Sequence, residues 1–108
     1  MFTKPNCGIY PGETCVDGLD NAGNGYVDDC HGYNHKDRIG TVLQGDGYHG
    51  SHVAGTIAAN TDNNTGVGGI RGVSVMANVG FGATAVTGFS EVLLHEADNG
   101  AHISSNSC

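Results

Sequence analysis

Basic residues are scarce in this chain. Lys4, Lys36, Arg38 and Arg71 are the whole set against eleven acids, giving a formal charge of −7. Four scattered cations cannot neutralise a phosphate backbone, so nucleic acid is excluded as a partner. Long apolar runs are missing too, and with them a membrane span. The N-terminal "MFTKPN" lacks the apolar stretch of a signal peptide. Tryptophan is absent and only 38 % of the residues are hydrophobic, so any core is thin. No Cys-x-x-Cys pair occurs, and His31 beside Cys30 is one adjacent pair without a second knuckle, which makes zinc the weaker reading of the cysteines.

Glycine fills much of the remaining space, with nineteen residues and no collagen period. That composition fits one small, loop-rich globular unit. Seven of the eleven acids precede position 48, which suits a cation-binding or solvated acidic segment. Cys7, Cys15 and Cys30 also crowd this region, with Cys108 at the far end. Disulfides in an oxidising compartment are expected, and the spacing leaves all three pairings open. A secreted-looking chain without a secretion signal is expected to be a piece of something longer.

Two regions follow from the patterning. Residues 1–48 hold no sustained period and read as irregular acidic loops; residues 49–108 read as an α/β core. Val53, Ala54, Ile57 and Ala58 give one apolar face to a helix over 49–60, closed by the polar turn cluster "NTDNNTG" (60–66). "VSVMANVGF" (73–81) alternates as a strand, "GATAVTG" (82–88) is a loop, and "FSEVLLHEADNG" (89–100) is an amphipathic helix. Thr87 or Ser90 suits its N-cap and Gly100 its left-handed C-cap. "AHISSNS" (101–107) reads as a second strand, completing a βαβ unit in a parallel sheet. Two strands cannot cover both of their faces, so the sheet is expected to belong to a larger α/β domain.

The helix over 49–60 opens with "HGSHVAGTIAA" (49–59), whose Gly50 and Gly55 each weaken a helix by about 1 kcal/mol relative to Ala. Close approach of other groups is the expected reason. This stretch resembles the histidine signature of the subtilisin-like serine proteases, H-G-T-H-V-A-G-T, with Ser51 in place of Thr. "GLDNAGNGYVDDCHGYN" (18–34) is similar to the Asn/Asp-rich insertion D-N-D-G-N-G-Y-V-D-D of many secreted members. "NGAHISSNSC" (99–108) is similar to the later strand N-G-A-x-V-I-x-N-S-W-G. Order and spacing agree over roughly residues 8–108.

The resemblance implies a fragment of a three-layer subtilisin-like parallel-sheet domain that hydrolyses polypeptides. It makes His49 the general base, which takes the serine proton and returns it to the leaving amine. His52, one turn on, is expected to be a packed core histidine; a His-x-x-His zinc site lacks the Glu and spacing of H-E-x-x-H. By position, Gly82, Ala83, Thr84 and Gly88 fall on the substrate-pairing edge and Ser107 on the facing strand, where extended peptides add by β-augmentation. In the acidic insertion, Asp20, Asn24 and Asp28 offer hard oxygen ligands around Gly25, which suits a structural calcium ion. Ala22 stands where the family-like loop has an acid, and a solvated Asx-turn cluster is the rival reading.

Only one triad member is carried over. The triad order is Asp, His, Ser; the aspartate strand is expected before the insertion, so Asp17 is not assigned to it. The G-T-S-M-A nucleophile motif has no match, and Ser51, Ser90 and Ser104 lack its strand-to-helix setting. The expected function is thus a fragment of a serine endopeptidase, extracellular or in the secretory pathway, with the rest of the catalytic domain missing from this chain and the chain alone inactive. The alternative is a non-catalytic calcium-binding module or degenerate pseudoprotease.

Overall fold

The computed structural model describes residues 16–42, 48–80 and 89–106. Within them the element order is β1 (Gly32–Asn34), α1 (Tyr48–Ala58), β2 (Ala77–Val79) and α2 (Phe89–Asp98). β1 and β2 pair in parallel, with Gly32 opposite Ala77, Tyr33 opposite Asn78 and Asn34 opposite Val79. The ladder is closed by the Ala77 N–H on the His31 carbonyl (2.9 Å) and the His35 N–H on the Val79 carbonyl (3.0 Å). This is an α/β arrangement, the expected class on a small scale.

Its strands differ from those the alternation suggested. Of 73–80, the described part of that run, only Ala77–Val79 is a strand. The second strand over 101–107 is absent in the described part, and Ile103 is 87 % exposed. A strand needs a neighbour to take its N–H and C=O groups. Beyond Ala101, no backbone hydrogen bond ties 102–106 to the sheet among the described residues. β2 instead takes its partner from "GYN", inside the region read as irregular loop. Gly32 makes that possible: its φ is +127°, and a Cβ there would be driven into the Ala77 carbonyl.

The helices follow their local signals. α1 ends close to the expected boundary, and the returning chain ties its last turn down. The Gly69 N–H donates to the Ala59 carbonyl (3.1 Å) and the Ile70 N–H to the Ile57 carbonyl (2.7 Å). Asp62, Asn64 and Gly66 take positive φ in the turn cluster that follows. α2 ends in a Schellman motif: Gly100 (φ +81°) donates to Ala97 and Ala101 donates to Glu96 (2.9 Å). Ser90 lies inside the first turn rather than capping it, and Thr87 falls outside the described residues.

The core is small and largely polar. Among the described residues Cys30, Tyr33 and Val92 are its buried apolar members, beside buried Asp29, Asn34, His35 and His95. Asn34 is satisfied by a tight turn: its Nδ2 donates to Asp37 Oδ2 and its Oδ1 accepts the Asp37 N–H, each at 2.9 Å. Its backbone exchanges hydrogen bonds with Ile39. Cys30 is disulfide-bonded, and Cys7, Cys15 and Cys108 all lie outside the described residues.

Candidate active site and the acidic loop

His49 sits in the first turn of α1 with its side chain in solvent. The ring is open to solvent from that position. Two expectations for this helix change. No residue of α1 is buried, and Val53, Ala54, Ile57 and Ala58 are only half-covered. His52 is exposed rather than packed in a core; the described elements supply no layer against that turn. A Cβ on Gly50 would likewise meet open space, so no close approach at Gly50 exists among the described residues. Gly82, Ala83, Thr84, Gly88 and Ser107 lie outside the described residues.

In the acidic loop, Asp20 accepts the Asn24 N–H on Oδ1 (3.1 Å) and the Gly25 N–H on Oδ2 (2.7 Å). Asp28 Oδ1 accepts the Asp17 N–H (2.8 Å) and the Gly18 N–H (3.1 Å). Asn24 turns inward: its Nδ2 donates to Asp29 Oδ2 (2.9 Å) and Asn99 Oδ1 (3.0 Å), while its Oδ1 accepts the Tyr26 N–H (3.0 Å). Each oxygen of the set therefore already holds an N–H donor. No group of three or more His, Cys, Asp or Glu side chains is placed to hold a metal ion among the described residues.

A second constellation was not foreseen from sequence. His35, just after β1, and His95, on α2, face each other with ring centroids 4.9 Å apart. Tyr26 and Tyr33 pack edge-on or tilted around both rings. His95 Nδ1 lies 3.1 Å from Asn78 Oδ1 on β2, and its Nε2 lies 3.6 Å from Asp29 Oδ2. Burial, then the neighbouring His35, pushes His95 below the ordinary imidazole range. Burial raises both tyrosines. The available signal was helical: His95 stands three residues after Val92, on the same face, while Leu94 points away and is 64 % exposed.

The signature opened by His49 runs in one piece along α1, and sequence comparison places it. The model of the peptidase S8, or subtilase, family matches residues 17–108. The chain belongs to the subtilase family. It is 45 % identical over 53 residues to subtilisin-like protease 1 of Plasmodium falciparum, covering 49 % of this chain and 8 % of that protein. It is 42 % identical over 57 residues to the Plasmodium vivax protein of the same name (53 % and 9 %). Halolysin of Haloferax mediterranei is 36 % identical over 64 residues (56 % and 12 %). The chain thus spans only a small part of the curated relatives it matches. No solved structure matches it. Family membership places this segment in a serine peptidase family. No helix among the described residues is long and apolar enough to cross a membrane.

Proposed function

We propose that this chain supplies the general base, His49, and part of the substrate-binding edge of a subtilisin-like serine endopeptidase. The observation that carries the reading is the exposed His49 at the start of α1, the first position of the family signature. A base must reach the hydroxyl proton of the nucleophile, and a ring in solvent at a helix start can do so. Gly82, Ala83, Thr84, Gly88 and Ser107 are assigned to backbone pairing with an extended peptide. The aspartate and the serine come from elsewhere in the catalytic domain. An extracellular or secretory-pathway location is supported by the disulfide at Cys30.

The test is a fluorophosphonate probe, which labels an activated serine. The intact protease is expected to be labelled, and to lose labelling on His49→Ala. The 108-residue chain alone is expected to stay unlabelled, since no acyl-enzyme forms without the nucleophile. An unlabelled intact protein would make it a pseudoprotease; labelling of the chain alone would place the nucleophile among Ser51, Ser90 and Ser104.

Calcium at the acidic loop is the second part of the reading. Asp20, Asn24 and Asp28 would hold it through the lone pairs that their N–H donors leave over. Calcium at 100 times its Kd is expected to stabilise the intact protein by about 2.7 kcal/mol. A chelator should remove that gain, and Asp20→Ala with Asp28→Ala should make melting insensitive to both. A wild-type Tm unmoved by calcium and chelator leaves only a solvated Asx-turn loop.

A further inference from the structure

We propose that the buried His35–His95 pair is an acid-sensitive latch that holds α2 against β1 and the 26–35 segment. Both imidazoles have fully buried side chains. Neither ring nitrogen of His35 has a hydrogen-bond partner, nor does Asp29 Oδ1. Among the described residues Glu96 Oε2 is a fourth buried polar atom without a hydrogen-bond partner. In the closed form both rings are packed between Tyr26 and Tyr33, and burial disfavours a charge on His95. A proton is a ligand that two facing imidazoles can take.

The surrounding charges settle the direction. From the 16–31 loop, Asp29 faces His95 and Tyr26 faces both rings. From β1, Tyr33 faces both. From α2, Glu91 lies 3.7 Å from His35 Nδ1 but is shared with Arg38, and Glu96 and Asp98 lie nearby. One proton can be balanced by Asp29. A second would sit beside the first at ring-contact distance, where the nearest carboxylate to His35, Glu91, is half-exposed and already engaged by Arg38. His95 is already held below its ordinary pKa by burial and by His35. The open form, with the His95 ring in water, therefore binds more protons than the closed one. Closure is complete above about pH 6.5, the ordinary imidazole value, and is lost as pH falls below it.

Hydrogen exchange in the intact protein reads this directly. Corrected for intrinsic rates, the protection of 89–98 and of 26–35 is expected to fall about tenfold per pH unit below pH 6.5 for one proton taken up on opening. Protection of α1 (48–58) is expected to stay flat. His35→Gln with His95→Gln should abolish the slope. If that variant does not fold, imidazole NMR of the wild type decides: the His95 ring should stay neutral until α2 loses protection. A flat slope, an equal loss in α1, or a His95 ring that titrates at its ordinary value while α2 stays protected would overturn the latch.

Discussion

His49→Ala in the intact protease is expected to lower kcat by about 10⁶-fold, the loss that removing the base brings in subtilisin. The expectation rests on two features of α1. His49 lies in its first turn and projects into solvent, so an alanine there removes no packing. Exposed substitutions away from special features change stability by about 0.5 kcal/mol at most. Activity should therefore vanish while the melting temperature holds. That split separates a chemical role from a structural one, because a histidine that merely capped the helix would show the reverse. Measured kcat and KM on a peptide substrate, with Tm alongside, check it. A fall smaller than about 10²-fold, below the range of general-base catalysis, would take His49 out of the triad.

Gly32→Ala is expected to be the most damaging single-methyl change in the described fold. At φ +127° an L side chain is strained, and strain of this kind costs about 1–3 kcal/mol. Here the new Cβ would also collide with the Ala77 backbone, which is the paired strand itself. Neither strand can yield without breaking the register that places Tyr33, His35 and Asn78 around His95. The total is expected to exceed about 3 kcal/mol, in the class of large single-site losses. Gly18→Ala is the control. Its φ is +77°, but a Cβ there meets nothing within 4 Å. It should cost about 1 kcal/mol, the left-handed penalty alone. Equal melting shifts for the two variants would mean that the β1–β2 approach does not limit stability.

The residues proposed for the substrate edge lie outside the described residues, and the proposed calcium loop is one contiguous stretch. For the loop, sequence supplied the right ligand types, and the fold spent their first lone pairs on its own N–H groups: Asp20 on Asn24 and Gly25, Asp28 on Asp17 and Gly18. Whether oxygen atoms turn toward a cation or toward the backbone is decided by loop closure, which residue identity does not encode.

What the sequence determined by itself is local or carried by a contiguous motif. The extents of α1 and α2, the Gly100 cap, the turn cluster at 60–66 and His49 in a helical first turn all follow from contacts within a few residues. The subtilase signature is of the same kind, since it is read in order along the chain. Tertiary structure decided which strand pairs with β2. That partner lies 45 residues away for Tyr33 and Asn78, and three-residue strands carry almost no periodic signal. It also decided that His95 is buried at 1 % exposure while its neighbour Leu94 stays open. Periodicity marks the face a residue occupies. Only the assembled neighbours, here Tyr26, Tyr33, His35 and Asp29, determine which face is covered, because burial belongs to the pair of surfaces that meet.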